Sequence, residues 1–209
     1  MLPANILKVM TMHTRIYLAR HGETLWNKTQ RLQGQLDSDL TPLGENQALA
    51  IAKKLADRHI DLIVSSPLGR AKKSALICQQ ILKVDHQIKM PLMERNLGIW
   101  QGEEIQHLKT LPDYHECLQQ VTSLAIYNLE SALNCGQRIL ESLKQLANDN
   151  SGKSVLVIFH GEALRCLLFL LGKEDTLNAF HLYKNGCIIT VDFNTTTQEF
   201  TLVLDDISS

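Results

Sequence analysis

Arg15-Ile-Tyr-Leu-Ala-Arg-His-Gly-Glu-Thr-Leu-Trp-Asn27 decides the fold: a short apolar run enters Arg20-His21-Gly22 and then a polar loop. Ile16, Tyr17, Leu18 and Ala19 are β-prone or apolar and are bounded by a glycine, which suits a buried strand whose carboxyl end presents Arg20 and His21. Open α/β sheets keep their ligands at such strand ends. Gly22 permits a sharp turn and a close backbone approach. Arg20 offers a guanidinium fork suited to a cluster of anionic oxygens, phosphate first among them.

Working outward, the same arrangement recurs. After a loop over 22–40, Thr41-Pro42 reads as an N-cap with proline at the first helical position, and Ala48, Ile51, Ala52 and Leu55 lay one apolar stripe along the helix. Asp61–Ser65 is the second buried strand; Ser66-Pro67 turns the chain into a helix with Ala71, Ala75, Cys78 and Leu82 on one face and Arg70 in its first turn. Ile88–Met90 is a weaker strand, with Glu94 beyond it. The segment 103–128 reads as one or two short helices broken around Leu111-Pro112, expected to cap the site. A helix over Glu130–Ala147 leads to Lys153–Phe159, almost continuously apolar as a central parallel strand should be. His160-Gly161 follows at once. A helix over Ala163–Leu171 closes at Gly172, and Cys187–Phe193 with Glu199–Leu204 pair as edge strands. The alternation predicts a three-layer α/β/α sandwich with a mostly parallel central sheet and a small helical lid insertion. Residues 14–209 form one domain in this reading, and 1–13 are an arm outside it.

With 209 residues and a net charge of -1, the chain suits one sizeable domain and gives no general electrostatic reason to bind nucleic acid or an anionic membrane. The five cysteines, Cys78, Cys117, Cys135, Cys166 and Cys187, are widely spaced in apolar surroundings, as expected in a reducing compartment. With no secretory pattern and no apolar span, the expectation is a cytoplasmic protein, monomer or homodimer.

The run Leu18–Asn27 resembles the signature of the histidine phosphatase superfamily, the phosphoglycerate mutase-like enzymes. The resemblance continues in order through Arg31-Leu-Gln-Gly34, Asp39–Gly44, Ser65–Arg70, Glu94–Gly102 and His160-Gly-Glu-Ala-Leu-Arg165. It implies the same three-layer fold and a phosphohistidine step. His21 is the candidate nucleophile, since a neutral imidazole nitrogen can attack phosphorus and hold the phosphoryl group covalently. Arg20 and Arg70 bring positive charge to the equatorial oxygens of the transferring group. His160 follows a buried strand and opens a helix, so its backbone amides and the helix dipole add anion stabilisation, and the resemblance gives it phosphate binding. Asn27, Gln33, Gly34 and Gly161 stand where the resemblance implies contacts to phosphate or substrate.

Glu94 is the candidate general acid, and base for water later, provided enclosure keeps it protonated. Arg95 would oppose this if the two side chains met, and Glu23 is the competing carboxylate. His21, His160 and Glu94 also have the composition of a two-histidine, one-carboxylate metal site, but two arginines in the same pocket disfavour a cation. No metal and no cofactor are expected. Of the other histidines, His181 is the one of interest.

Gln33-Gly34 after Arg31 and Leu97–Gly102 after Glu94 resemble the phosphatase branch, and the span from Glu94 to His160 lacks the longer insertion of mutases. Glu94-Arg95 is also the mutase pairing. Departures are Gln101 in place of glutamate, Asn128-Leu-Glu-Ser131 in place of a glycine-rich turn, and Glu162, placed to repel an acidic substrate tail. The expected activity is metal-independent hydrolysis of a small phosphorylated metabolite, with a mutase as runner-up. A non-catalytic phospho-ligand module is the reading of another class.

Overall fold

The computed structural model describes residues 13–173 and 183–203. The arm up to Met12, His181 and Leu204 lie outside them. Six strands form one sheet: β1 (His13–Arg20), β2 (Leu62–Ser65), β3 (Asp85–Ile88), β4 (Ser154–Phe159), β5 (Ile188–Asn194) and β6 (Glu199–Val203), in the order β3-β2-β4-β1-β5-β6. The pairings β2·β3, β2·β4 and β1·β4 are parallel; β1·β5 and β5·β6 are antiparallel. The α/β sheet is thus mostly parallel, with an antiparallel edge.

The helices are α1 (Leu25–Lys28), α2 (Pro42–Lys54), α3 (Gly69–Leu82), α4 (Ile105–Leu108), α5 (Tyr114–Gln119), α6 (Ala132–Asp149) and α7 (Gly161–Leu170). One face of the sheet buries Ile16, Leu18, Val155, Val157 and Phe159 against Ile139 and Leu143 of α6 and Leu164 and Leu167 of α7. The other buries Tyr17, Ala19, Ile63, Leu156 and Ile158 against Ile51 of α2 and Ala71, Ala75 and Cys78 of α3. Burying two such faces supplies the main stabilisation of a layered domain. Thr41 caps α2 by accepting from Gly44 N at 3.1 Å, as Thr41-Pro42 predicts.

Several boundaries differ from the sequence reading, and β1 already begins at His13, the last residue of the expected arm 1–13. The third strand is Asp85–Ile88, ahead of the expected Ile88–Met90, because Pro91 draws Met90–Leu92 into a 3-10 turn. As an edge strand with mostly exposed side chains it carries no apolar run to betray it. The helix expected over Ala163–Leu171 begins at Gly161, directly on His160. The sixth helix runs from Ala132 to Asp149, later than Glu130–Ala147, because Ser131 caps it by accepting from Asn134 N. The loop over 22–40 holds α1, capped reciprocally by Thr24 and Asn27. The insertion folds as the two short helices α4 and α5, which build a separate core with Leu32, Leu97 and Trp100. No helix among the described residues is long and apolar enough to cross a membrane.

Candidate active site

The strand order sets the site. β2, β4 and β1 are neighbours and parallel, so their carboxyl ends bring Arg70, His160 and the pair Arg20-His21 to one edge of the sheet. Arg20, His21, Asn27, Gln33, Gly34, Arg70, Glu94, Gly161 and Glu162 line one cleft there, walled also by Leu32 and Leu97.

His21 is buried, and its Nδ1 lies 2.7 Å from the Gly22 carbonyl. A carbonyl only accepts, so Nδ1 carries the proton and Nε2 keeps its lone pair. Burial first, then the charges of Arg70 and Arg20, hold the imidazole pKa well below its ordinary 6.5, overcoming the opposing bond to Gly22. The ring is neutral. Asn185 Nδ2 donates to the His21 carbonyl at 3.0 Å and to Asn27 Oδ1 at 3.2 Å, tying the loop together from the start of the antiparallel edge.

Arg70 is nearly fully spent on this geometry. Its Nε donates to His21 Nε2 at 3.2 Å, Nη1 to Leu36 O at 2.7 Å and Asp37 Oδ1 at 3.2 Å, and Nη2 to Gly34 O at 2.7 Å. Asp37 also accepts from the amides of Gly69 and Arg70, fixing the start of α3. Gly34 has φ +54, and a Cβ there would come within 2.7 Å of Gln101 Cγ. Gln101 in turn accepts from Gln35 N at 2.7 Å, so it buttresses the loop that clamps Arg70. Arg20 donates through Nη1 to the Tyr183 carbonyl.

His160 is fully buried, its ring centroid 5.3 Å from that of His21. Its Nε2 lies 2.7 Å from Ser66 Oγ, which already accepts from Leu68 N. Nδ1 is buried without a partner among the described residues. Leaving a buried polar atom unpaired costs about 1–3 kcal/mol. Gln33 Oε1 is likewise buried and unpartnered among the described residues. Burial, followed by the charge of Arg70, holds the His160 pKa well below 6.5.

Glu94 takes a place that the sequence reading had left to the substrate. Its Oε1 accepts from Arg95 N at 2.9 Å and Ala163 N at 2.8 Å, and Oε2 from Glu162 N at 3.2 Å. The first amides of α7 therefore bind a carboxyl of the chain itself, which corrects the expectation that those amides all face phosphate. Three amides and nearby Arg70 favour the carboxylate, but burial outweighs them and, with the charge of Glu162, raises the Glu94 pKa above its ordinary 4.5. Oε1 is occupied twice and Oε2 once, so Oε2 is where a proton fits.

Arg95 does not pair with Glu94 through its side chain. Its guanidinium donates to Glu130 O at 2.8 Å and Cys117 O at 2.6 Å. Glu23 supports the loop, accepting from Thr41 Oγ1 at 2.7 Å, and does not line the cleft. None of the cleft-lining residues comes from 103–128, whose short helices pack against Leu32 and Leu97, two of the cleft's walls. Glu162 is clasped by Arg165 at 2.9 Å, with Arg95 at 3.9 Å, so it is not the bare repelling charge expected. Among the described residues no three His, Cys, Asp or Glu side chains gather as a metal-holding group.

Sequence reasoning overlooked Ser66, Asn185 and Asp37. Ser66 had a signal, since it follows β2 inside the block that carries Arg70; Asn185 and Asp37 act only through contacts distant in sequence.

A parallel sheet that gathers two histidines, two arginines and a protonatable carboxyl at one edge defines an α/β protein built around an anionic oxygen cluster. The chain belongs to the histidine phosphatase superfamily (branch 1), whose family model matches residues 16–206. A probable phosphoglycerate mutase GpmB of Yersinia pestis (strain Pestoides F) is 34% identical over 161 residues, 75% of this chain and 74% of that protein. Among solved structures, Bacillus stearothermophilus YhfR matches with a TM-score of 0.82 at 25% identity, over 94% of this chain and 98% of its own. The mycobacterial glucosyl-3-phosphoglycerate phosphatase, solved with VO3, matches with a TM-score of 0.78 at 27% identity, over 90% of this chain and 96% of its own. The chain is thus a superfamily enzyme of phosphatase or mutase type.

Proposed function

We propose that this protein is a metal-independent phosphomonoester hydrolase acting on a small phosphorylated metabolite through phosphohistidine at His21. The observation that carries the reading is a neutral, tautomer-fixed imidazole sharing a cleft with a carboxyl whose pKa is raised. His21 Nε2 attacks phosphorus as the ester P–O bond breaks, and Glu94 Oε2 gives its proton to the departing alkoxide. Water then attacks the phosphoramidate, Glu94 takes the water proton, and the P–N bond breaks to restore His21. Arg20, Arg70, His160 and the Gly161 turn stabilise charge on the equatorial oxygens, with Asn27, Gln33 and Gly34 shaping the walls. The lone pair that attacks is the one Arg70 Nε addresses at 3.2 Å; a phosphate that takes over the Arg70 donors releases it.

A mutase is the second reading, favoured by the GpmB relatives. Rapid quenching with labelled substrate separates the two. An acid-labile, base-stable label on His21, formed in the presence of a chelator and discharged to water, is expected. Discharge only to a second sugar or glycerate hydroxyl would establish the mutase, and no label on an active enzyme would defeat both.

A further inference from the structure

The turn over 183–187 is built directly onto Arg20-His21. Gly186 N donates to Arg20 O at 3.1 Å and Arg20 N donates to Cys187 O at 3.1 Å, while Tyr183 O takes the Arg20 guanidinium. This pairing sets Asn185 beside the nucleophile, where its Nδ2 donates to His21 O at 3.0 Å and to Asn27 Oδ1 at 3.2 Å. Backbone partners orient both amides. His21 O only accepts, which fixes Asn185 Nδ2; Thr24 N only donates, at 3.2 Å, which fixes Asn27 Oδ1. We infer that Asn185 is a positioning residue for phosphoryl transfer, holding the peptide after His21 and the amide of Asn27 at the same time. The inference rests on the reaction proposed above, from which it takes His21 as the nucleophile and Asn27 as a phosphate contact.

The first bond acts on the nucleophile. The peptide between His21 and Gly22 is gripped at both ends, its carbonyl by Asn185 and its N–H by Ser74 Oγ at 3.1 Å. That peptide orients Gly22, a residue with little conformational restraint of its own, whose carbonyl 2.7 Å from His21 Nδ1 keeps the proton there and the attacking lone pair on Nε2. Release of the Asn185 grip lets the Gly22 carbonyl turn away, and the imidazole then exchanges tautomers. The second bond acts on the phosphate side. Asn27 Oδ1 collects Thr24 N, Thr24 Oγ1 at 3.1 Å and Asn185 Nδ2, so its lone pairs are taken. What Asn27 has left for the cleft it lines is Nδ2, a donor suited to a phosphate oxygen. One side chain from the far end of the chain thus sets both the tautomer of the nucleophile and the aim of a phosphate donor.

Asn185→Ala removes both bonds, and Asn185→Asp keeps the size while setting an acceptor against two acceptors. Three quantities are read: calorimetric affinity for inorganic phosphate, the nitrogen-15 spectrum of the His21 ring (assigned by its loss in His21→Ala), and single-turnover phosphorylation by a nitrophenyl phosphate. In Asn185→Ala phosphate should bind about 5- to 10-fold more weakly, the ring should pass from the Nδ1–H tautomer to a mixture, and phosphorylation should slow by about 10-fold. Asn185→Asp should exceed it in all three; if it does not fold, Asn185→Ala and the following cycle decide. In an Asn27→Ala background, Asn185→Ala should cost no further phosphate affinity yet still mix the tautomers, a split that general loosening of the fold would not produce. An unchanged tautomer and phosphate affinity in folded Asn185→Ala, or the same affinity loss with and without Asn27, overturns the inference. The expected tautomer and affinity changes in a protein that hydrolyses no ester would support it while defeating the phosphatase reading.

Discussion

Glu94→Gln separates proton donation from everything else the carboxyl does. The amide oxygen can take the place of Oε1 and keep the bonds from Arg95 N and Ala163 N. The amide NH2 must then face Glu162 N, which donates to Oε2 across 3.2 Å in the native protein. One donor confronting another costs about 1–3 kcal/mol, a loss of several degrees in Tm for a chain of this size. The catalytic effect depends on the leaving group. An alkoxide needs the proton, so phosphorylation of His21 by an alkyl phosphate should slow by at least about 100-fold, or ~2.7 kcal/mol. A nitrophenolate barely needs one, so its single-turnover phosphorylation rate should stay within a few-fold of wild type. Dephosphorylation would then limit turnover, and the phosphoenzyme should accumulate as a burst. Rapid-quench measurement of both esters decides the matter. Equal losses on the two leaving groups would remove Glu94 from the acid role, whatever the stability change.

Acidification should weaken the fold through the buried histidines. The folded pKa values of His21 and His160 lie below 6.5, so the unfolded chain gains protons as pH falls through about 6.5 before the folded chain does, and stability drops. Glu94 has the opposite slope, its folded pKa being above 4.5, which makes stability fall as pH rises through that raised value. Urea midpoints at pH 7 and 5 should show the histidine loss, and His160→Gln should shrink it; an identical drop in the variant would mean that His160 titrates normally. Arg70→Ala should lower kcat by about 100-fold or more as well as raise KM, since the side chain meets more charge in the transition state than in the ground state. A change confined to KM would make Arg70 a binding residue only. Gly22→Ala should be among the worst single substitutions, because a Cβ there comes within 2.6 Å of the Gly44 carbonyl carbon, backbone of the first turn of α2. Overpacking of about 1–3 kcal/mol is expected, together with loss of activity as the His21 to Gly22 O bond shifts. A variant that melts and turns over like wild type would show that the loop and α2 can separate freely.

The parts of the site that sequence made legible are those fixed by local rules. Strands such as Ile16–Ala19 and Val155–Phe159 are continuous apolar runs because both faces are covered, and the polar residues directly after them, Arg20-His21 and His160, stand at the sheet edge by construction. Arg70 was found the same way, one turn into the helix after β2. Edge strand β3 escapes sequence patterning because exposure frees its side chains, and the start of α7 escapes it because its N-cap residue, His160, makes no side-chain capping bond. Its amides are satisfied by Glu94, a carboxyl 68 residues away from Glu162 in sequence. Asn185 is hidden for the same reason: it holds the His21 carbonyl across 164 residues. Neighbours in sequence announce what a strand end can present; which of those groups are already engaged is decided by contacts that only the folded chain brings together.

In the proposed reaction one carboxyl serves as acid and then as base, and the engaged groups supply a physical basis for both. Three amides, two of them at a helix start, would ordinarily keep Glu94 ionised, and burial would ordinarily keep it protonated. Here the two pull against each other, with Arg70 on the side of the charge and Glu162 on the side of the proton. Arrival of a phosphate dianion would add negative charge to the same cleft and favour the proton at the moment the leaving group requires it. Departure of the alcohol would admit water, restore solvation and shift the balance back to the carboxylate that must accept the water proton. Glu162 thus acts twice: it orients the Glu94 carboxyl through its amide, and it biases the proton affinity of that carboxyl through its charge.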